Sequence, residues 1–273
     1  MTNSREDRWA SVDDPDAVTE ALERLDQMAA TASERRAANQ WLKLLDPGAD
    51  DRVLDVGAGA GHMVHVLATA LSGQGRVHAL DRSAGLLDVA AKRLAQSGLS
   101  AHVQMDVGDA CHLPYDDHQF DSAISRWLLL HLPEPERAIV EMCRVVRPGG
   151  KVLCVEVDWE TLAIYPGDPA VTREIVQANV ARQVDGRIGR RLAPLMRRTG
   201  LQRVTIHPFV ATDERGDWLP FLRSRVAVAA GAGVDPEELD GWRQTVEAAV
   251  SSGQYFFSFT QYGVFGVVPP RRG

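Results

Sequence analysis

The fold of this chain is decided by the stretch Val53-Leu54-Asp55-Val56-Gly57-Ala58-Gly59-Ala60-Gly61. An apolar run with one acidic residue leads into glycines at alternate positions, and apolar residues follow Gly61. The first part has the composition of a buried β-strand, and the residues after it predict a helix. Glycine lets the backbone turn sharply and lie close to a ligand. The stretch therefore predicts a strand, a ligand-binding loop and a helix, which together begin an α/β fold.

From Asp51 onward, strand patterns alternate with helix patterns. Strands are predicted at 52–56, 76–80, 101–105, 120–125 and 151–157, and helices at 61–72, 84–96 and 136–146. Further strands are predicted at 204–210 and 255–268, with a helix near 170–183. Apolar strands joined by helices of this length form a parallel sheet covered on both faces.

Residues outside this alternating region predict additional helices. Residues 1–50 are expected to form an N-terminal helical cap, with a helical region over 16–45. Residues 51–273 are expected to form the core, with lid insertions at about 161–186 and 213–252. Aromatic residues in the lid and the last strand either line a hydrophobic pocket or form the lid's own core; these are Trp218, Phe221, Phe256 and Phe257.

Composition excludes several classes of protein. The chain has 273 residues, of which 45% are hydrophobic, and a net charge of -7. No cluster of Lys or Arg is visible, so a nucleic-acid partner is not expected. No apolar run approaches the roughly 20 residues of a membrane helix, and the polar start does not resemble a signal peptide. The three cysteines lack metal or disulfide spacing, so no metal is expected and the predicted location is the cytoplasm.

Acidic residues mark the ends of three predicted strands. Asp55 ends the first strand, Asp81 follows the second and Asp109 follows the third. In an open parallel sheet, ligands bind beyond the carboxyl ends of the strands. An acid at Asp81 can accept hydrogen bonds from a ribose diol, and one at Asp109 from an adenine amino group. Each acid alone is typical of a turn or helix cap, but the three together indicate a nucleoside site.

A dinucleotide is a weaker interpretation of the same residues. A G-x-G-x-x-G pattern counted from Gly57 needs a small residue at position 62, and His62 stands there. The acidic Asp55 also favours a cationic group on the ligand over a phosphate. An NAD-dependent oxidoreductase is therefore disfavoured.

Several motifs together resemble the class I S-adenosylmethionine-dependent methyltransferases, within them the quinone-biosynthesis and natural-product branch. The resemblance covers about residues 51–159. Besides the stretch 53–61, the matching motifs are Ala79-Leu80-Asp81, Gly108-Asp109-Ala110, Leu113-Pro114-Tyr115, Phe120-Asp121, Leu130-His131-Leu132-Pro133 and Arg147-Pro148-Gly149-Gly150. The resemblance implies a Rossmann-like α/β fold. Its seven-stranded sheet is mostly parallel with an antiparallel last strand, has helices on both faces and carries a helical lid.

The resemblance also implies roles for individual residues toward S-adenosylmethionine. The methionine end would be held by Asp55, Gly57, Ala58, Gly59 and Gly61. The ribose would be bound by Asp81, with Arg82 beside the adenine, although an apolar residue is more usual in the family at position 82. The adenine would be held by Asp109 and by the backbone of Ala110. The methionine carboxylate would lie near Arg126, mainly its backbone.

The expected reaction is methylation of a hydrophobic small molecule, with oxygen as the first choice of acceptor atom and nitrogen or carbon next. An alcohol acceptor needs a general base, and His131 is the first candidate, although a structural histidine fits this position equally well. Glu156 and Asp158 are the next candidates: one of them could contact the substrate, or either could instead pair with an arginine of the lid. The alternative is a protein that binds S-adenosylmethionine or S-adenosylhomocysteine without methyl transfer. A monomer and a homodimer remain open.

Overall fold

The computed structural model describes residues 14–71 and 75–270. The first 13 residues of the predicted cap, with the polar start of the chain, lie outside the described residues, as does the end of the helix predicted at 61–72. No helix within the described ranges combines the length and apolarity needed to cross a membrane.

Helices and strands alternate as the sequence predicts. The helices are α1 Pro15–Ala29, α2 Ala32–Leu45, α3 His62–Ala70, α4 Ala84–Gln96, α5 Pro135–Val145, α6 Pro169–Arg182, α7 Ile188–Arg198, α8 Leu219–Gly231 and α9 Pro236–Ser252. The strands are β1 Arg52–Val56, β2 Arg76–Asp81, β3 Val103–Val107, β4 Phe120–Arg126, β5 Val146–Tyr165, β6 Gln202–Asp213 and β7 Phe256–Val267. Short 3-10 turns lie at Ser100–His102 and Leu129–His131.

The seven strands form one sheet in the order β3-β2-β1-β4-β5-β7-β6. Strands β1 to β5 are parallel, and β7 runs antiparallel to both of its neighbours, β5 and β6. The predicted fold class is therefore confirmed. Because the connections leave β1 toward one edge and β4 toward the other, a crevice forms beyond the carboxyl ends of these two strands.

The core lies on both faces of the sheet. Successive residues of β1 point to opposite faces, as in any strand. Val53 belongs to the apolar cluster that includes residues of α2 and α3, and Leu54 belongs to the cluster that includes residues of α5 and α7. Both side chains are fully buried. Burial on both faces explains why these strands read as continuous apolar runs in the sequence.

The helical region predicted at 16–45 consists of two helices, α1 and α2. The helix is interrupted at Thr31. The hydroxyl of Thr31 accepts a hydrogen bond from the backbone amide of Glu34 at 3.2 Å and so caps α2. A threonine followed three residues later by a glutamate is a sequence pattern typical of a helix start. That pattern was present in the sequence, and it explains the break.

Candidate functional site

The loop after β1 is built around glycines whose backbone φ angles are positive. These angles are +79° at Gly57, +51° at Gly59 and +81° at Gly61. A Cβ atom on Gly61 would lie 2.7 Å from the Cβ of Ala90 in α4, a distance too short for two carbon atoms. Glycine is therefore required at position 61 both by backbone conformation and by the packing of α4 against the loop.

The loop is fixed to the end of β2. The amides of Gly57 and Ala58 both donate to the carbonyl of Leu80, at 2.8 and 3.0 Å. The carboxylate of Asp81 accepts from the Gly59 amide at 2.8 Å and, through its other oxygen, from the Ser83 amide at 3.0 Å. A carboxylate offers about four acceptor positions, so Asp81 retains capacity to accept from a ligand. Asp81 thus holds the loop and can still accept hydrogen bonds.

Burial and hydrogen bonding act in opposite directions on Asp81. Burial raises the pKa of its carboxyl, while hydrogen bonds from Ser83 and Gly59 oppose that rise. The net pKa lies above the ordinary value of 3.8. A hydroxyl donor placed against this carboxylate would replace lost solvation, which favours binding of a diol.

A cavity of about 660 Å³ lies beyond the carboxyl ends of β1, β2 and β4. We call it the strand-end cavity. Its wall includes Leu25, Gly57, Gly59, Asp81, Arg82, Asp109, Ala110, Arg126, Trp127 and His131. Eight of the predicted site residues are in this list. The other three predicted residues, Asp55, Ala58 and Gly61, are not part of the wall.

Asp109 lies in an exposed turn at one end of the cavity. Its carboxylate accepts from the Cys111 amide at 2.9 Å and contacts the Nδ1 atom of His112 at 3.2 Å. Partial burial alone would raise the pKa of Asp109, but these hydrogen bonds outweigh it and lower the pKa. Asp109 is therefore an anion that can accept a further hydrogen bond, beside the buried Ala110.

Asp55 is buried directly behind the glycine loop. Its side chain is 2% exposed, and its Oδ2 atom has no hydrogen-bond partner among the described residues. Burial raises the pKa of Asp55 to about 7, against the attraction of Arg126 and with a smaller contribution from Asp81. A buried carboxylate with an unsatisfied oxygen is the kind of group that a cationic ligand would stabilise.

Arg126 joins three elements that are far apart in the sequence. Its guanidinium forms an ion pair with Glu34 of α2, whose side chain is 1% exposed. The other Glu34 oxygen accepts from the side-chain amide of Gln261 in β7. The side-chain oxygen of Gln261 in turn accepts from the indole N–H of Trp127 at 3.3 Å. Sequence reasoning missed Glu34 and Gln261, because no local pattern relates residues this distant.

His131 ends the 3-10 turn after β4 and contributes to the cavity wall. The turn is held by Glu156 of β5, one oxygen of which accepts from the amides of Leu128 and Leu129 at 2.9 and 2.6 Å. Burial raises the pKa of Glu156 to about 8, and these amide hydrogen bonds oppose the rise. Glu156 therefore positions the turn that carries His131.

Asp158 pairs with an arginine side chain of α7. It forms an ion pair with Arg190 of α7, and it also accepts from the Glu160 amide at 3.1 Å. Its position in the sequence fits either contact with a substrate or an ion pair with an arginine. The structure favours the second interpretation.

The predicted pocket-lining aromatic residues are mostly packed against one another. Trp218 is 1% exposed, Phe221 8% and Phe257 0%, whereas Phe256 is 40% exposed. The rings of Trp218 and Phe221 meet edge to face, with centroids 5.3 Å apart. Three of the four residues thus form a core between α8 and β7.

Metal-binding geometry is not found at this site. Across residues 14–71 and 75–270, no three His, Cys, Asp or Glu side chains form a group that could hold a metal ion.

Comparisons with known proteins agree with this geometry. A family model described as a methyltransferase domain matches residues 54–154, the part of the chain that carries the glycine loop and the turn with His131. An uncharacterised 37.1 kDa protein of a Streptomyces fradiae transposon is 31% identical over 259 residues, which cover 93% of this chain and 73% of that protein.

A second relative matches less than half of this chain. The demethylmenaquinone methyltransferase of Shouchella clausii is 34% identical over 124 residues, or 45% of this chain. This chain matches about half of that protein's length, 52%. Among solved structures, a methyltransferase-like protein of Bacillus halodurans has a TM-score of 0.62 at 19% identity, covering 85% of this chain and 99% of that one. At this identity the structural match supports the fold.

Proposed function

The chain belongs to the class I S-adenosylmethionine-dependent methyltransferases, and we propose from this premise that it methylates a hydrophobic small molecule, at oxygen. S-adenosylmethionine is its cofactor. The observation that carries the proposal is the strand-end cavity, in which Asp81 and Asp109 flank a wall of glycine backbone. The quinone substrate named for the Shouchella clausii relative supports a quinone-like or natural-product acceptor.

The residues of the cavity fit this cofactor. We assign the ribose hydroxyls to Asp81, whose carboxylate lines the cavity, and the adenine amino group to the exposed Asp109. Asp55 is not part of the wall, but its unsatisfied oxygen, buried beside the glycine loop, suits the cationic amino group of the methionine end. Gly57 and Gly59 let the backbone lie against the ligand. Arg126, already paired with Glu34, would act beside the methionine carboxylate.

When bound, S-adenosylmethionine supplies an activated methyl group with a neutral leaving group. The protein's contribution is alignment of the acceptor and exclusion of water. Leu25 of α1 covers the glycine loop: a Cβ on Gly59 would lie 3.4 Å from its Cδ1 atom. The helical cap therefore shields one side of the strand-end cavity, and the turn after β4 shields another.

His131 is proposed to remove the proton of an alcohol acceptor. The His131→Ala variant should lose about 10²–10⁴-fold in the rate of O-methylation, the usual contribution of a general base. Its affinity for S-adenosylhomocysteine should stay within twofold of the wild-type value. A time course of product formation measures the rate of O-methylation, and calorimetry measures the affinity for S-adenosylhomocysteine. Unchanged methylation of an alcohol would remove His131 from the mechanism and support the structural role considered for it.

Asp55 should make cofactor binding dependent on pH. The folded-state pKa of about 7 lies above the ordinary 3.8, so the carboxyl is largely protonated at pH 6 and largely ionised at pH 7.5. A cationic amino group binds the ionised form, so affinity should rise with pH by about 5- to 10-fold over this interval. Calorimetry with S-adenosylhomocysteine should show the rise in the wild type and a flat profile in Asp55→Asn. A slope that persists in the variant would contradict the assignment.

Methyl transfer itself is tested with cofactor that carries an isotopically labelled methyl group. The protein is incubated with a panel of phenols, hydroquinones and hydroxylated polyketides, and label is counted in the organic extract. We expect label in at least one hydrophobic product. If the protein binds the cofactor and labels no member of the panel, the alternative of a binding protein without methyl transfer is favoured.

A further inference from the structure

Four aromatic rings extend from the strand-end cavity into the lid. We call them the lid cluster: Trp127, Trp159, Phe221 and Phe259. Trp127 lines the cavity, and its ring contacts that of Trp159 at a centroid distance of 5.9 Å. Trp159 in turn stacks on Phe221 at 5.1 Å and contacts Phe259 at 5.3 Å. Trp159 is therefore separated from the cofactor's cavity by a single ring.

The indole N–H of Trp159 is a buried donor without an acceptor. The residue is 6% exposed, and its Nε1 atom has no hydrogen-bond partner among the described residues. By contrast, the Nε1 atom of the neighbouring Trp218 donates to the hydroxyl of Ser33 at 3.0 Å. An unsatisfied buried donor costs free energy that a phenylalanine at the same position would not cost. A ligand oxygen placed within hydrogen-bond distance would satisfy this donor.

The helix that covers Trp159 is bounded by glycine turns. Phe221 belongs to α8, and Gly216 before the helix and Gly233 after it have φ angles of +85° and +93°. Arg225, one turn along the same helix, lies over the Phe221 ring with its guanidinium carbon 4.7 Å from the ring centroid. A movement of α8 about these turns would carry Phe221 away and leave Trp159 on β5, and it would break the hydrogen bond that the Arg225 guanidinium donates to Asn179 of α6 at 3.1 Å. Hinges of this kind lie at the ends of elements.

We propose that the indole N–H of Trp159 binds an oxygen atom of the methyl acceptor, which enters when α8 moves away from β5. The acceptor's apolar body then packs against Phe221 and Phe259, and its oxygen satisfies the unpartnered donor. The acceptor is therefore an apolar, ring-containing molecule that carries a carbonyl or ether oxygen. This inference rests on the proposed function, because it places the acceptor beside the cavity that holds the cofactor.

Two probes of nearly equal shape test the donor. 2-Acetylnaphthalene carries a carbonyl oxygen, and 2-isopropylnaphthalene carries a methyl group in its place. Equilibrium dialysis is performed with the full chain saturated with S-adenosylhomocysteine. The affinity for the ketone should exceed that for the hydrocarbon by about 3- to 10-fold, the ratio expected from one neutral hydrogen bond. Trp159→Phe keeps an aromatic ring and removes the N–H, so it should abolish the preference.

A matched control is available elsewhere in the chain. Trp41 of α2 is fully buried, and its Nε1 atom is also without a partner among residues 14–71 and 75–270, but it packs against Phe209, outside the lid cluster. Trp41→Phe should retain the preference for the ketone. Both variants should bind S-adenosylhomocysteine as the wild type does, which shows that they are folded.

Three results would overturn the inference. The first is equal affinity of the wild type for the two probes, and the second is failure to bind either probe. The third is a preference that survives in Trp159→Phe. The wild-type measurements decide the matter even if a variant fails to fold. If the wild type binds S-adenosylhomocysteine and gives any of these results, the acceptor site is wrong while the cofactor site stands; loss of S-adenosylhomocysteine binding would instead contradict the proposed function.

Discussion

Replacement of Glu34 by alanine is expected to lower the free energy of unfolding by about 3–5 kcal/mol, the cost of removing one partner from a buried ion pair. Glu34 is nearly inaccessible to solvent, and the side chain of its partner Arg126 is 15% exposed. Without the carboxylate, the guanidinium stays buried with less compensation. The side-chain amide of Gln261 also loses its acceptor. Urea unfolding followed by circular dichroism measures the loss.

Two variants make the Glu34 experiment specific. Glu34→Gln keeps an acceptor oxygen and the shape of the side chain, so it should cost less than the alanine variant. Glu23→Ala, at an exposed position of α1, should change stability by no more than about 0.5 kcal/mol. A loss below about 1 kcal/mol in Glu34→Ala would show that the pair contributes little to the fold.

Asp81→Ala is expected to weaken the binding of S-adenosylhomocysteine by about 10- to 100-fold. This range corresponds to roughly 1.4–2.7 kcal/mol, the scale of hydrogen bonds to a charged group. The carboxylate both faces the strand-end cavity and holds the Gly59 amide, so its removal takes away a ligand contact and loosens the glycine loop. Calorimetry at constant pH gives the two affinities.

The control for Asp81 lies on the next helix. Asp88 of α4 is exposed and is not part of the cavity wall. Asp88→Ala removes the same charge from the same side of the sheet, so an effect of net charge alone would appear in both variants. We expect the affinity of Asp88→Ala to stay within twofold of the wild-type value. An equal loss in both variants, or no loss in Asp81→Ala, would remove the ribose assignment.

Much of this architecture could be predicted because its determinants are local. The run 52–56 was predicted as a strand with the bounds of β1, and 84–96 as a helix with those of α4. Apolar periodicity and glycine or proline stop signals define such elements. Parallel strands bring their carboxyl ends to one edge of the sheet, so the sequence alone places Asp81 and Asp109 at one site.

The contacts between distant side chains could not be predicted. Glu34, Arg126 and Gln261 lie on a helix and two different strands, and alternation along a strand gives the face of a side chain but not its partner. Glu156 is a candidate base in the sequence because alternation along the strand predicts its face but not its hydrogen-bond partners. Its position on the strand was right, but its amide hydrogen bonds to Leu128 and Leu129 depend on how the turn after β4 folds back.

The central claim is that the strand-end cavity is a site for S-adenosylmethionine and not for a dinucleotide. Calorimetric titration of the wild-type chain with S-adenosylhomocysteine, and separately with NAD, tests it most directly. We expect saturable binding of one S-adenosylhomocysteine per chain and no heat of binding with NAD. Tight binding of NAD without any response to S-adenosylhomocysteine would contradict the claim.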